Sequence, residues 1–429
     1  MEISYPVRVI APVEVISMPN VPATSMMQRD AFDRQRISDN FTLGDYKSVY
    51  ALDPQFLTKT VGGAAVNFIT NQCCARLTTS TAINDVAIFQ SRMYHPYQPG
   101  KSQFIMTSFN LNGAQPNVRK RVGYFDDGDG IFVELTSSGF SINLRSSTTG
   151  SPLTTTVNQS DWNLDSLDGT GTSGKTLDLT KTQLMFIDFQ WLGVGSVRVG
   201  FAIDGEHIVA HRFITNANHL TTVYMSSPSL PVRSEITNTG GLSVPASMDH
   251  ICSTVISEGG YLEVGTDYSI TTAIRSITGG VGNSLPMICL RMKNTHKGRA
   301  NRFLARLATL EILAIDRNIS YRVMTFDGSD HVVGGSWAAI SDDSACEYNI
   351  TATSITGTGI EVATGFAIAG GNGSKTFGSM TTALGSSARR NYIAQNIDST
   401  DSSIYVIYAT NLTANATTLA AGIQWREIY

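Results

Sequence analysis

The feature that most constrains the fold is a pair of alternating segments on either side of the dipeptide Asp204-Gly205. The first segment covers residues 197–203 and the second covers residues 206–213. Asp-Gly tolerates positive φ at both central positions of a tight turn, so this pattern predicts a β-hairpin. The apolar run at residues 184–191, just before the hairpin, predicts a buried strand. We expect the hairpin and the strand before it to belong to one larger β-sheet.

Composition extends this expectation to the whole chain of 429 residues. It holds 43 serines, 46 threonines and 38 glycines, while only 15% of its residues are charged. Thr is favoured in strands and Gly in turns, whereas long helices are rich in Ala, Glu, Lys and Leu. We therefore expect an all-β protein: a jelly-roll, lectin-like β-sandwich with an extended N-terminal arm and a second, C-terminal β-sandwich.

Prolines, turn signals and apolar runs divide the chain into four segments. Five prolines punctuate the first segment, and proline removes backbone donors and favours extended conformations. In the last segment, residues 307–314 have helix-forming composition, but we predict a strand because a further strand pattern and the turn signal Asp327-Gly328 follow. The segments are an extended arm at 1–60, a jelly-roll β-sandwich at 61–240, a connecting segment at 241–290 and a C-terminal β-sandwich at 291–429.

Charge and cysteine content exclude several classes of function. The chain has 31 basic and 35 acidic residues, a net charge of −4, so it lacks the basic surplus typical of nucleic-acid binders. No stretch approaches the ~20 apolar residues of a transmembrane helix, and the first residues do not form a secretory signal. The five cysteines have no metal-site or disulfide spacing. We expect no nucleic-acid partner, no membrane span, no cofactor and free thiols made in a reducing cytoplasm.

Residues 169–176 match the phosphate-binding loop G-x-x-x-x-G-K-[ST] of NTPases. That loop works only between a buried strand and a helix, because the helix N-terminus holds the anion. Here a polar, broken segment precedes it, and too few residues separate Lys175 from the next apolar strand for a crossover helix. We interpret the match as an ordinary Gly-rich loop.

The acidic run at residues 126–130 suggests calcium, and Asp126, Asp127 and Asp129 are weak candidate ligands. An EF-hand loop that began at Asp127 would need an oxygen ligand at Ile131 and a Glu at Ser138, so the run is not that loop. An exposed turn is the favoured interpretation, with a calcium site of another type left open. We expect no catalytic residues and no metal site.

Four tryptophans offer apolar rings that could stack on sugars: Trp162, Trp191, Trp337 and Trp425. For Trp191 and Trp425, which lie in apolar segments, core packing is the preferred interpretation.

Six sequence blocks between residues 34 and 240 resemble a family of virion-associated proteins of tailed phages and other large DNA viruses. The ending at residues 423–427 is similar to the tail end of phage structural proteins. The resemblance implies a virion component and carries over no catalytic residues. The blocks are Arg34-Gln35-Arg36-Ile37-Ser38, Tyr97-Gln98-Pro99-Gly100-Lys101-Ser102-Gln103, Arg121-Val122-Gly123-Tyr124-Phe125-Asp126, Asn158-Gln159-Ser160-Asp161-Trp162-Asn163, Trp191-Leu192-Gly193-Val194-Gly195-Ser196-Val197-Arg198 and Leu230-Pro231-Val232-Arg233.

The leading functional expectation is therefore a non-enzymatic virion structural protein of a tailed bacteriophage, on the tail, fibre or head surface. It would be made in the host cytoplasm, assemble as a homo-oligomer, a trimer by default, and contact other virion proteins. Arg34 and Arg36 mark the candidate assembly arm. The alternatives are an adhesin that binds a host surface glycan and a polysaccharide depolymerase. Fold alone does not decide among them.

Overall fold

The computed structural model describes residues 29–31, 34, 36, 39–215, 217–369 and 392–429. Within them the regular structure is almost entirely strand, with single 3₁₀ turns at Gln159–Asp161 and Ser329–His331. The strands, numbered β1 to β29 in chain order, pair antiparallel and build two β-sandwiches that follow one another along the chain. The all-β prediction is confirmed.

The first sandwich packs an eight-stranded sheet A against a seven-stranded sheet B. Sheet A contains, in order, β13 (Glu206–Phe213), β12 (Val197–Ile203), β11 (Thr182–Phe189), β6 (Ser102–Asn110), β15 (Ala246–Glu258), β4 (Cys74–Thr79) and β3 (Ala65–Ile69), and β1 (Asn40–Lys47) also pairs with β15. Sheet B contains β10 (Leu153–Asn158), β9 (Gly139–Ser146), β8 (Gly130–Thr136), β7 (Val118–Phe125), β14 (Val232–Asn238), β5 (Val86–Ser91) and β2 (Phe56–Val61).

The first core lies between sheets A and B and follows the two-residue period of the strands. In β11, Met185, Ile187 and Phe189 belong to this core with no solvent exposure. The side chains between them, Phe186 and Asp188, point to the outer face of sheet A, because successive strand residues point to opposite faces. Strand β11, which contains most of the predicted apolar run at residues 184–191, thus has one core face and one outer face.

The predicted hairpin is present. Strands β12 and β13 pair in the register Ile203 with Glu206, and the turn has φ of +52° at Asp204 and +83° at Gly205. Both central residues therefore adopt the left-handed conformation that Asp-Gly favours.

The second sandwich packs a four-stranded sheet C against a six-stranded sheet D, and Trp425 lies fully buried in the core between them. Sheet C contains β16 (Thr266–Thr271), β29 (Thr417–Ile428) and β17 (Arg275–Ile277), with β21 (Leu304–Ala314) also paired to β29. Sheet D contains β24 (Ala338–Ala339), β25 (Cys346–Asn349), β18 (Ser284–Met292), β28 (Ile404–Asn411), β22 (Ile319–Phe326) and β27 (Ile360–Ala367). Two ribbons pair β19 (Thr295–His296) with β20 (Arg299–Ala300) and β23 (Val332–Val333) with β26 (Ser354–Ile355).

The structure corrects two domain boundaries. Strands β1 and β2 belong to the first sandwich, so the predicted arm at 1–60 ends before Asn40, and its first 28 residues lie outside the described part. The predicted connecting segment at 241–290 contains β15, a central strand of sheet A, and then β16, β17 and β18 of the second sandwich. β15 is rich in Ser, Thr, Asp and His, which hid its strand character. The chain crosses between sandwiches just after Glu258, at Gly259 (φ +110°) and Gly260 (φ +72°).

Over the described residues, no helix has the length and apolar character needed to cross a bilayer. All five cysteines are free thiols.

Candidate functional site

A cleft of about 830 Å³ lies where the two sandwiches meet. Its volume falls within the roughly 300–1,000 Å³ typical of small-molecule sites. The first sandwich contributes loops that flank β6, β11 and β14, and the second contributes the crossing segment, the β19–β20 ribbon and the residues that follow it. The lining includes residues 96–99 and 101, Trp191, residues 226–229, 261, 262, 264, 296, 297 and 299–303, and Tyr429.

Trp191 and Tyr97 form the aromatic wall on the first-sandwich side. The backbone N–H of Trp191 donates to the Tyr97 hydroxyl at 3.0 Å, and its indole N–H donates to the Met225 carbonyl at 3.0 Å. The two rings lie 6.3 Å apart at 77°, and Tyr97 stacks on Phe189 of the core. Because its polar atoms bond inside the protein, the half-buried Trp191 ring presents apolar surface to the cleft. The preferred core role for Trp191 was therefore incomplete.

Phe303 organises the aromatic wall on the second-sandwich side. Its ring lies 5.0 Å from the ring of Tyr429 and 5.0 Å from that of His296. Tyr429 is 66% exposed and the neighbouring Leu262 is 71% exposed. Tyr261 completes this wall. The second side thus offers exposed aromatic and aliphatic surface, which is unusual for side chains of this size.

Cationic groups stand among these aromatic rings. Lys101 Nζ donates to Gln98 Oε1 at 2.7 Å and to the Gly260 carbonyl at 2.9 Å. Arg299 Nη2 donates to the carbonyl and hydroxyl oxygens of Ser226 at 3.2 and 2.9 Å. The Lys101–Gly260 bond joins the first sandwich to the crossing segment, and the Arg299–Ser226 bonds join the second sandwich to the first, so these cations also hold the cleft together.

Asp126 links the sandwiches behind the cleft. One carboxylate oxygen accepts hydrogen bonds from the backbone N–H groups of Gly128 and Asp129 at 2.7 and 2.9 Å. The other pairs with Arg302 of the second sandwich at 2.8 Å. The guanidinium of Arg302 also lies 4.5 Å from the centre of the Tyr94 ring. The acidic run therefore contributes one half of a largely buried clamp between the sandwiches.

The other candidate calcium ligands are also turned toward protein donors. Asp129 accepts from the backbone N–H and the hydroxyl of Ser226 at 2.7 and 2.6 Å, and the mostly exposed Asp127 pairs with Arg233 at 2.8 Å. In the part of the chain that the structure describes, no three His, Cys, Asp or Glu side chains are grouped to hold a metal ion. Only Asp127 is exposed as a turn residue would be, since Asp126 and Asp129 are buried.

Arg36 enters a buried ion network on the outer face of sheet A. Its guanidinium pairs with Asp188 of β11 and with Glu258 at the end of β15, and Arg198 of β12 pairs with Asp188 at 2.7 Å. Burial raises the pKa of Asp188, against the pull of the two arginines. Burial, and then the charge of Asp188, raise the pKa of Glu258 to about 7. The base of the N-terminal arm is thereby fixed to its own sandwich.

Arg34, the other candidate arm residue, lies closer to solvent. It pairs with the buried Asp30 at 2.6 Å, and its own side chain is 53% exposed. A second nitrogen donates to the carbonyl of Gly100 at 3.2 Å, next to the cleft residue Lys101. Thus Arg34 and Arg36 lie near each other in the fold, but only Arg36 is an internal ion-pair partner.

The apparent phosphate loop at residues 169–176 forms an open loop with no helix after it. Lys175 pairs with Asp204 of the hairpin turn at 2.7 Å, and Thr176 forms an isolated bridge with Asp168. Its lysine is used to attach the loop to the hairpin, in agreement with the interpretation as an ordinary Gly-rich loop.

The outer face of sheet B carries a row of alternating charges. In the strand register, Arg121 of β7 lies between Glu134 of β8 and Glu235 of β14. Arg121 bonds Glu134 at 2.6 Å, and Arg233 bonds Glu235 at 2.7 Å. Burial alone would raise the pKa of Glu235, but the arginines around it, led by Arg233, hold that pKa below its usual value. Both carboxylates are occupied by guanidinium groups.

Sequence reasoning missed the cleft because its walls come from distant parts of the chain. The block at residues 97–103 supplies Tyr97, Gln98 and Lys101, and the block at 191–198 supplies Trp191. Those blocks were visible, but nothing in the sequence indicated that residues near 261, 299 and 429 would face them. No signal in the sequence marked Tyr429 as a cleft residue, because its exposure is seen only in the fold.

No protein-family model matches the sequence, and no curated protein matches it. Solved structures with a similar strand arrangement include the carbohydrate recognition domain of Emp47p, at 9% identity over 50% of this chain and 94% of that one, with a TM-score of 0.30. A β-1,3-glucanase from Mycobacterium marinum is 12% identical over 51% of this chain and 97% of its own, with a TM-score of 0.32. A legume lectin-like domain from Entamoeba histolytica is 8% identical over 50% and 96%, with a TM-score of 0.29.

Proposed function

We propose that this protein binds carbohydrate, without transforming it, in the cleft between its two sandwiches. The observation that carries the proposal is the presence of aromatic walls on both sides, Trp191 with Tyr97 and Phe303 with Tyr429. A sugar ring has C–H groups on its faces and hydroxyl groups around its edge. Its faces pack on aromatic rings, while its edge needs hydrogen-bonding side chains.

The cleft supplies those polar side chains between the aromatic walls. Gln98, Ser227 and Ser229 line it together with the cations described above. Mixed apolar and polar lining fixes the orientation of a ligand as well as burying it. A volume of about 830 Å³ suits a short oligosaccharide or the end of a longer chain.

The lining of the cleft supports binding without hydrolysis. Glycoside hydrolysis by the usual mechanism needs two carboxyl groups beside the bound sugar, one of them with a raised pKa. None of the cleft's lining residues in the described part of the chain is Asp or Glu, and Glu258, whose pKa is raised to about 7, pairs with Arg36 at the base of the arm. We therefore propose a binding protein in preference to a depolymerase. Clearing of purified polysaccharide by the wild-type protein would contradict this choice.

A glycan array tests the binding proposal, with two tryptophan variants as a matched pair. Trp191→Ala removes one aromatic wall, whereas Trp337→Ala removes a half-buried ring of the second sandwich that stacks on Arg291 outside the cleft. We expect the wild type and Trp337→Ala to bind the same glycans and Trp191→Ala to lose them. A wild type that binds none, or a Trp191→Ala variant that binds normally, would refute the proposal.

As a second candidate function, we propose that the protein acts on a virion surface as a homo-oligomer assembled through its arm. Three blocks of the family resemblance meet at one place: Arg36, Ser102 and Arg198 all surround Asp188. Ser102 also accepts the backbone N–H of Ala31 at 3.0 Å. This anchored base supports a role for the preceding 28 residues as an arm that reaches neighbouring subunits.

Light scattering and particle labelling test this candidate. The full chain is expected to run as a trimer, and a variant lacking residues 1–28 as a monomer with an unchanged melting temperature. Antibody against the chain is expected to label virions. A full-length monomer, or virions without label, would overturn the assembly role and leave the glycan proposal to its own test.

A further inference from the structure

The charges that line the cleft are all of one sign. Lys101, Lys297, Arg299 and Arg302 line it, and none of its lining residues in the described part of the chain is Asp or Glu. Such a one-sided set attracts anionic ligands, because low-dielectric walls concentrate the field of the charges.

Two of the four cations are already neutralised by carboxylates. Arg302 pairs with the buried Asp126, and Lys297 pairs with Asp343 at 2.9 Å near the surface. Their charges are largely compensated within the protein and contribute less to ligand binding.

Lys101 and Arg299 differ from that pair. Their acceptors are neutral oxygens of Gln98, Gly260 and Ser226, and within the described residues neither forms an ion pair. Arg299 is exposed and uses only Nη2 in these bonds, so Nε and Nη1 face no acceptor of the described chain. Each of these two N–H groups can donate a charge-assisted hydrogen bond to a ligand carboxylate.

We propose that the cleft selects saccharides that carry a carboxylate, with Arg299 and Lys101 as the groups that recognise it; this inference rests on the proposed function. The aromatic walls hold the sugar ring, and the two cations distinguish the acidic sugar from its neutral counterpart. The carboxylate can belong to a uronic acid within a chain or to a terminal sialic acid, and both present the same group to the cleft.

Calorimetric titration with matched ligands tests the inference. Oligogalacturonate and sialyllactose are each compared with their methyl esters, which keep the sugar and remove the charge, and with a sulfated oligosaccharide. We expect at least one carboxylate form to bind roughly tenfold or more tightly than its ester, since charge-assisted hydrogen bonds are worth about 1.5–3 kcal/mol. The ligand that shows this preference, oligogalacturonate or sialyllactose, identifies the source of the carboxylate.

Variants assign the effect to the two cations. Lys101→Gln, and Lys101→Gln with Arg299→Gln, are expected to lose roughly tenfold or more in affinity for the acid and clearly less for the ester, because only the acid loses a charge interaction. Arg212→Gln, which removes an exposed cation of β13 outside the cleft, is the control and is expected to bind like the wild type. The single Lys101 variant keeps the Arg299–Ser226 bonds, so it remains informative if the double variant unfolds.

The outcomes separate this inference from the proposal on which it rests. Equal binding of acid and ester, preference for the sulfated ligand alone, or unchanged binding by the variants would overturn carboxylate recognition while leaving saccharide binding in place. No binding of any saccharide, charged or neutral, would overturn both.

Discussion

Replacing Arg36 by Met removes the cation that ties the base of the N-terminal arm to sheet A. Its two partners stay where they are, because Asp188 and Glu258 lie in strands of the sandwich. Their side chains are 0% and 5% exposed, against 20% for Arg36. Arg198 remains as the cation that pairs with Asp188. The variant therefore leaves two buried carboxylates next to one arginine.

The expected cost follows from that geometry. Removing one partner of a buried ion pair costs about 3–5 kcal/mol, because the remaining charge is left uncompensated in a region of low dielectric. At about 1.4 kcal/mol per factor of ten, this corresponds to roughly a hundred- to several-thousandfold change in the opening equilibrium of the arm base. The cation–π contact of Arg36, 4.7 Å from the centre of the Phe104 ring, is lost as well.

The cost depends on pH with a definite sign. The pKa of Glu258 is raised to about 7, mainly by burial, so the folded state binds this proton more tightly than the unfolded chain does. The contribution of Glu258 to stability is therefore greatest below its unfolded pKa of about 4.5 and is lost as pH rises through 7. Without Arg36 this pKa rises further and Glu258 takes up a proton more readily. The penalty of Arg36→Met should be larger at pH 8 than at pH 5.5.

Hydrogen exchange of peptides that span residues 29–47 measures this opening directly. Arg34→Met is the matched control, because its side chain is 53% exposed and solvent screens its pair with Asp30 more strongly than the pairs of Arg36. We expect a large, pH-dependent loss of protection in Arg36→Met and a small one in Arg34→Met. Equal small losses in both variants, or a larger loss at pH 5.5, would refute the role assigned to the ion network.

Three other predictions follow from buried groups. Burial lowers the pKa of Lys120 to about 8, so the folded protein loses this proton at a lower pH than the unfolded chain does. The free energy of unfolding of the wild type, relative to that of Lys120→Met, should therefore rise by about 1 kcal/mol from pH 7.5 to 9.0. Denaturant titrations in which this difference between the two proteins does not change with pH would contradict the prediction. Asp126→Asn weakens the ion pair between Asp126 and Arg302, so amide hydrogen exchange of residues 296–303 should increase while the cores of both sandwiches keep their protection. Unchanged exchange of residues 296–303 would show that this ion pair does not clamp the sandwiches together. In Gly200→Ala the new Cβ would lie 2.1 Å from the Ile208 carbonyl oxygen, and overpacking should cost about 1–3 kcal/mol in thermal unfolding; an unchanged melting temperature would show that the hairpin adapts.

Much of the first sandwich could be predicted from local sequence. The hairpin at Asp204-Gly205 is specified by its own turn chemistry, and the strand β11 by its apolar run, so neither needs information from elsewhere. The strand predicted at residues 307–314 against its helix propensity forms most of β21 (Leu304–Ala314), because pairing along β29 overrides that weak preference. In contrast, β15 is central in sheet A but carries Asp249, His250 and several hydroxyl side chains, whose partners lie on other strands.

The site was predictable only in part, because it is made by contacts between the sandwiches. The acidic run at residues 126–130 was noticed for its charge, but its main partner Arg302 lies far along the chain in the second sandwich. Arg36 was noticed as part of a candidate arm, while its partners Asp188 and Glu258 gave no local sign of being buried. Trp191 lies in an apolar segment, which indicates a core residue. In the fold it is only partly buried against the first core, and it also lines the cleft.

Hydroxyl-radical footprinting with and without a bound saccharide tests the central claim most directly, because it reports where the sugar lies. If the cleft is the binding site, an array-identified glycan should protect Trp191 and Tyr429 from oxidation and leave Trp337 unchanged. Protection on the outer face of sheet B, or protection of none of these aromatic residues by a glycan that binds, would contradict the assignment of the cleft as the saccharide site.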